Sequence, residues 1–392
     1  MSKAKDIFNI FEKNGMKALD IARARSYTPN AEKTLRTWGV NEVSDLIGRS
    51  RQSLLDAEKS QKIPAAKTIA QSGRRYYTLE DINIVRDYFH GIPKRQKGVD
   101  GVSVTIANFK GGVAKTTTSV HFAQYMALNG YKTLFIDCDS QASGTQYFGL
   151  QPDTEVEDNK TLLPYLLGDT DTLAHSITKT HWINLDIIPA NLSLYSAEFE
   201  LPIRNINSSH SNVDGKFNFY EILSKGLAEL KKEYDVIVLD CPPSMGMISI
   251  NAIYAGDALV VPVPASMLDF SSTVQFFSMM KDVLSRLPSK EFSFIRLLVT
   301  KYEKTDISQE IFDTIRTLYS EFVLPTVMLQ SEAIKKSDSE MKTIYETHKY
   351  KGAKKTFDRI KYALDEVNSE IEMLVNKVWK AQEHTLEVSD HV

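Results

Sequence analysis

Between Ala107 and Phe122 the chain reads ANFKGGVAKTTTSVHF, which sets Lys110 and Lys115 five residues apart around Gly111 and Gly112. This arrangement suits a polyphosphate. Glycines let the backbone N–H groups of the stretch Gly111, Gly112, Val113, Ala114 turn toward an anion. A helix opening at Lys115 adds its N-terminal dipole. Lys115 is placed to reach β- and γ-phosphates, Thr116 to put its hydroxyl on Mg2+, and Thr117 to hold an α-phosphate. The general pattern G-x-x-x-x-G-K-[ST] is broken, because Phe109 and Ala114 stand at its two glycines. What remains is K-G-G-x-x-K-T, with an additional lysine in front.

Two acidic motifs complete the chemistry. YDVIVLDCPPS carries Asp240 after four apolar positions, where a carboxylate at a strand end holds a metal-bound water, the Walker B role. LFIDCDSQAS sets Asp137 and Asp139 on either side of Cys138, and side chains at i and i+2 of a strand point the same way. One of the two can sit near a metal while the other positions an attacking water. A strand-end aspartate is common by itself; the three motifs in this order are far more specific.

The elements that must position these groups begin at residue 102. VSVTIAN, KTLFIDCD, LDIIPA, YDVIVLD, ALVVPVPA and SFIRLLVTKY read as buried strands, with helical stretches between most of them. Such alternation predicts an α/β fold, a mostly parallel doubly wound sheet with both faces covered. Ligands of such sheets sit at the carboxyl ends of the strands, where all three motifs fall.

The first 98 residues read differently. They carry 19 Lys/Arg against 11 Asp/Glu in a chain of net charge −3, an asymmetry that points to a polyanionic partner. Residues 3–24 read as one amphipathic helix, with Ile7, Phe8, Ile10, Phe11, Met16, Leu19 and Ile21 at spacings of three and four. It needs something to pack on, its own domain or a second subunit. Glu42–Ile47 and Arg51–Lys59 read as two short helices around a Gly48 turn, the second capped by Ser50. That is a helix-turn-helix, and Arg49, Ser50, Arg51, Gln52 and Ser53 at its second helix are donors suited to phosphates and base edges. The chain around Ser72-Gly73 predicts a hairpin wing with Arg74 and Arg75 on it. Thr78 and Asp81 form a capping box for another helix. IPKRQKGVDG at 92–101 reads as a linker, so the domains are placed at 1–30, 31–98 and 99–392. An all-helical interaction domain is the plainer reading of the N-terminal part.

The composition excludes other classes. No apolar run is long enough to span a membrane, and MSKAKDIFNIFEKNG has no signal core. Two cysteines in strand contexts fit a reducing cytoplasm, and the eight histidines show no metal-ligand spacing. Residues 335–361 carry nine Lys/Arg against four acids, either a solvated helix face or a surface for phosphates.

Lys110-Gly111-Gly112 with Lys115-Thr116-Thr117, then Asp137-x-Asp139-Ser-Gln141, then Asp240-Cys-Pro-Pro-Ser, resembles the deviant Walker ATPases, the family of the ParA partition ATPases and of MinD. The resemblance covers about 102–392. The basic helix-turn-helix, with DAEKSQKIP at 56–64 and LVTKY at 298–302, narrows it to the large plasmid-partition ParA/SopA type. It departs from the pattern at Ala114, where a left-handed backbone would strain alanine, and at Ser140, where proline is usual.

The resemblance implies ATP and ADP as ligands with Mg2+, a nucleotide-sandwich homodimer, and slow hydrolysis. Lys110 then crosses to the partner subunit's phosphates, and Asp139 positions water. Thr116 and Asp240, with Asp137 near, serve the metal, and Pro264, Thr300 and Lys301 lie on the adenine side. It also implies operator binding by the helix-turn-helix and ATP-dependent, non-specific DNA binding near Lys351, Lys354, Lys355 and Arg359. A ParB/SopB-like centromere-binding protein is the implied partner, and the cytoplasmic nucleoid the location. A nucleotide-sensing repressor without a transport role is the alternative. A MinD-like membrane ATPase needs an amphipathic C-terminal anchor, whereas VWKAQEHTLEVSDHV is polar and acidic. A nitrogenase-iron-protein-type reductase needs cluster cysteines that Cys138 and Cys241 do not supply.

Overall fold

A computed structural model describes residues 4–26, 33–66, 68–69, 73–89, 91, 95–210, 218–287, 289–347 and 352–389. Two compact units are present, Met1–Thr34 and Leu35–Val392. The first is built on helix α1 (Ala4–Ser26), on which Phe8 and Phe11 are exposed and meet edge to face, with ring centroids 6.2 Å apart. The side chains of Leu19 and Ile21 lie outside the described residues.

The second unit opens with a small three-stranded sheet, β1 (Trp38–Gly39), β2 (Thr68–Ile69) and β3 (Arg75–Tyr77), in the order β1-β3-β2 and antiparallel throughout. It carries helices α2 (Val40–Ile47), α3 (Arg51–Lys59) and α4 (Leu79–Tyr88). Gly48 ends α2 at φ +66°, a left-handed turn that favours glycine. The Ser50 hydroxyl accepts from Ser53 N–H to cap α3. Thr78 and Asp81 form the expected capping box of α4. Trp38, Val43, Leu54, Tyr77, Ile82 and Val85 are buried. Three paired strands accompany these helices, so the region is not the all-helical alternative. The strand at Trp38–Gly39 has no sequence signal, because two residues are too few to show a period.

The larger sheet holds β4 (Val102–Ile106), β5 (Thr133–Asp137), β6 (Thr178–Lys179), β7 (Leu185–Ile188), β8 (Val236–Asp240), β9 (Ala258–Pro264) and β10 (Phe294–Thr300). The order is β10-β9-β4-β8-β5-β7-β6, parallel except for the β6–β7 pair. Both faces are covered, which is why β4, β5 and β8 are buried at every position. The order reverses at β4, and the opening left there holds the chemistry. Helix α5 (Lys115–Leu128) follows β4, and a 36-residue helix, Lys354–Ser389, buries Ile360, Leu364, Val367, Ile371, Val375 and Trp379. Met373 on the same helix is 53% exposed. No described helix is long and apolar enough to cross a membrane.

Candidate functional site

The loop between β4 and α5 has the shape its sequence calls for. Gly112 lies at φ +71° and Ala114 at φ +72°. Ala114 thus adopts the left-handed conformation that a glycine would adopt without strain, at a cost of about 1–2 kcal/mol. Contacts around the loop hold it there. Asn108, 1% exposed, accepts from Lys110 N–H at 3.1 Å and donates to Pro262 O at 2.9 Å and to Thr273 Oγ1 at 3.3 Å. Thr300 donates to Val113 O at 3.0 Å, and Thr118 donates to Ala114 O at 2.7 Å.

Lys115, 6% exposed, folds its ammonium onto Lys110 O at 2.9 Å, inside the loop. Burial lowers its pKa, opposed by the nearby carboxylates of Asp240 and Asp139. Asp137 and Asp240 end adjacent strands in register and are fully buried. Burial, and for Asp137 the neighbouring Asp240, push both carboxyls well above the usual range; burial also raises Asp139. Asp240 Oδ1 accepts from Ser119 at 2.8 Å, while Oδ2 is buried without a hydrogen-bond partner among the described residues, with the Thr116 hydroxyl near enough to favour the ionised carboxylate. Asp137 is occupied by the turn that follows it: Oδ1 accepts from Asp139 N–H at 3.1 Å, and Oδ2 from Thr145 N–H and Oγ1, both at 2.7 Å. A Cβ on Gly144 would meet Asp137 Oδ2 at 3.0 Å and Phe135 at 2.8 Å, so that turn requires a glycine.

These residues fit Mg2+ bound with a polyphosphate. A desolvated lysine faces three repelling carboxylates, and one carboxylate oxygen beside a threonine hydroxyl has no protein partner. No group of three or more His, Cys, Asp or Glu side chains placed to hold a metal ion occurs among the described residues.

Other expected site residues fall elsewhere. Lys110 forms an ion pair with Asp269, at the first turn of the helix Met267–Arg286. Asp269, Asn108 and Ser119 carry no signal in the sequence, since their roles arise from strands brought together in space. Pro264 is buried at the end of β9, and Thr300 is fully buried with its hydroxyl bonded to Val113. Thr300 therefore supports the loop. Lys301 lies in the left-handed region at φ +51°, its ammonium 3.9 Å from where a Cβ on Gly112 would stand.

Of the expected DNA contacts, Arg51 and Gln52 are exposed at the start of α3, though Gln52 bonds Asp56 at 2.8 Å. Ser50 and Ser53 bond one another as the cap, and Arg49 lies over the Phe89 ring at 5.6 Å. Arg74 is exposed. Arg75 corrects the reading of the wing: it pairs with Glu58, which is 8% exposed and also accepts from Tyr77 Oη at 3.0 Å and Ala66 N–H at 3.2 Å. Arg75 thus neutralises a buried carboxylate. Lys354, Lys355 and Arg359 are exposed at the start of the last helix and form no ion pair among the described residues, whereas Lys361 pairs with Asp365 at 2.7 Å. Lys351 lies outside the described residues.

Fold and loop together define a P-loop nucleotide-binding protein. A family described as "AAA domain" matches residues 102–292. The chain is 35% identical to the protein SopA of Escherichia coli K12, over 84% of this chain and 86% of that protein. A solved structure titled "Partition Protein" shares the fold with a TM-score of 0.61, at 20% identity, over 91% of this chain and 98% of the other. Cobyrinic acid a,c-diamide synthase from Mycobacterium smegmatis, solved with ADP and magnesium, is 27% identical over 63% of this chain and 91% of its own, with a TM-score of 0.51. The chain belongs to the ParA/SopA family of partition ATPases.

Proposed function

We propose that this protein is a plasmid-type partition ATPase that dimerises on ATP, coats DNA without sequence preference, and is released when a centromere-binding partner of the ParB/SopB kind stimulates hydrolysis. The observation that carries this reading is the convergence of Lys115, Asp139 and Asp240 on the loop turned by Gly112 and Ala114. Lys115 and the loop N–H groups bind the β- and γ-phosphates, and Thr117 the α-phosphate. Thr116 and Asp240 hold Mg2+, which when bound neutralises phosphate charge. Asp139 orients water for in-line attack. Lys110 leaves Asp269 and reaches the other subunit's phosphates, adding a cation as charge develops. Hydrolysis then depends on dimerisation, which makes it a timer. The exposed donors of α3 read the protein's own operator, favoured by ADP, and Lys354, Lys355 and Arg359 contact phosphates of bulk DNA in the cytoplasm.

The trans role of Lys110 is tested by mixing two inactive variants, Lys110→Ala and Asp139→Ala. In a mixed dimer the Lys110→Ala site keeps its own Asp139 and receives Lys110 from the other subunit, so ATPase activity reappears. No recovery across mixing ratios contradicts the trans role.

A further inference from the structure

Helix α5 begins at the phosphate loop and runs 14 residues, about 21 Å at the usual rise. Two sets of bonds lead from it to the winged region. Arg86 on α4 is 2% exposed, and its guanidinium donates to Leu128 O, the last residue of α5, at 2.7 Å and to Asn83 Oδ1 at 3.1 Å. A cation at a helix C-terminus meets the carbonyls that the helix leaves unpaired. The fit is close. Gly130 lies at φ +93°, and a Cβ there would stand 3.0 Å from Arg86 Nη1. Burial lowers the Arg86 pKa to about 10, opposed by the neighbouring Tyr131 and Glu372, so the guanidinium stays charged beside its carbonyl and carboxamide partners.

A second path starts within the first turn of α5. His121 Nδ1 lies 2.7 Å from Thr117 O, and His121 Nε2 accepts from Ile344 N–H at 3.3 Å, which fixes the neutral tautomer with the proton on Nδ1. Gln124 bonds Thr343 and Glu346 of the same segment. Tyr345 O, between them, accepts from Arg36 Nε at 2.9 Å. Arg36 lies over the Trp38 ring at 5.0 Å and pairs at 2.8 Å with Glu42, in the first turn of α2.

We propose that α5 is the element through which the nucleotide state sets the winged domain, and that Arg86 and Arg36 are the positioning residues that couple the two. The inference rests on the nucleotide-site reading. Phosphates bear on Lys115 and Thr116 at one end of a rigid rod, and any displacement of the rod must be followed or broken at Leu128 O and at Tyr345 O. Both carbonyls belong to bonds whose donors sit in the winged region, so its stability and DNA affinity change with the ligand.

Amide hydrogen exchange of the full chain, with and without ADP and Mg2+, tests this, with nucleotide affinity measured separately by calorimetry. In wild type, ADP·Mg2+ changes exchange in peptides covering 40–59 and 75–88 by about tenfold. Arg86→Met binds ADP as wild type does but loses that distant response, while Arg86→Lys, which keeps one donor for Leu128 O, retains much of it. Arg36→Met gives an independent reading of the second path and loses the response in α2. An unchanged winged region in wild type at saturating ADP overturns the proposal, as does a full response in both Arg86→Met and Arg36→Met. Absence of ADP binding to wild type overturns the nucleotide reading itself.

Discussion

The charges at the strand ends and the charges on the exposed basic surface of the last helix are arranged in opposite ways. Around the phosphate loop, Lys115, Asp137 and Asp240 are buried against one another and shifted from their ordinary pKa values. On the first turns of the last helix, Lys354, Lys355 and Arg359 stand in solvent. Lys354 and Lys355 open a helix with no acid in its first turn, where a positive charge opposes the dipole. The first arrangement stores repulsion among carboxylates that a bound cation would relieve. The second leaves positive charge for any polyanion that comes near. Arg75 shows how easily the two are confused: it has the sequence of a surface donor, yet, partly exposed itself, it pairs with the buried Glu58.

The sharpest way to separate the two regions is to disable turnover at the strand ends and leave the basic surface untouched. Asp139→Ala is expected to bind ATP normally and lose turnover by about a hundredfold or more, checked by calorimetry beside steady-state hydrolysis. Equal loss of binding would mean that Asp139 holds the loop in shape.

A second contrast sets Arg75→Ala against the pair Lys354→Glu and Lys355→Glu. Arg75→Ala leaves Glu58 buried beside Tyr77 without its cation and lowers stability by about 1–3 kcal/mol, read by urea denaturation. The salt dependence of its DNA binding stays at the wild-type slope. The lysine pair keeps wild-type stability, while the slope of log affinity against log salt falls by about 0.9 for each phosphate that is no longer neutralised. A reversed outcome would exchange the roles assigned to the two sites.

The smallest effect concerns the buried carboxylates. Their pKa values are raised, so the folded protein holds those protons more tightly than the unfolded chain. Stability from this source is fullest below the unfolded carboxylate pKa of about 4 and is lost as pH rises toward the folded value. Asp240→Asn removes the cost of charging, so the nucleotide-free protein gains about 1 kcal/mol at pH 8 and less at pH 5, read from denaturation midpoints. The same variant loses the added stability that Mg2+ gives with nucleotide. A loss of stability at pH 8 would show that the Ser119 bond to Asp240 outweighs the repulsion.

The strand-end site is legible in the sequence because its spacing is covalent: a loop, a helix start and three aspartates each sit at a fixed distance from an apolar run. The turn at Gly48, the Ser50 cap and the Thr78–Asp81 box are legible for the same reason, as local chemistry within four residues. What the sequence does not show is assembled across the sheet. Asp269 meets Lys110, Thr300 holds Val113 and Ser119 holds Asp240 only because strands far apart in the chain lie side by side. The wing arginine misleads because a charge tally cannot tell a cation facing water from one facing Glu58. Ala114 departs from the glycine pattern in sequence, yet its backbone turns as the missing glycine would.

On the proposed function, ATP switches this chain onto DNA through the phosphate loop. Fluorescence anisotropy of a labelled non-specific duplex, titrated with protein without nucleotide, with ADP and with ATP·Mg2+, tests it most directly when wild type is run beside Lys115→Ala. The account predicts tight, salt-sensitive binding with ATP·Mg2+ alone, and its loss in Lys115→Ala. Binding to non-specific duplex that is equal in all three nucleotide states, and unaffected by Lys115→Ala, would contradict it.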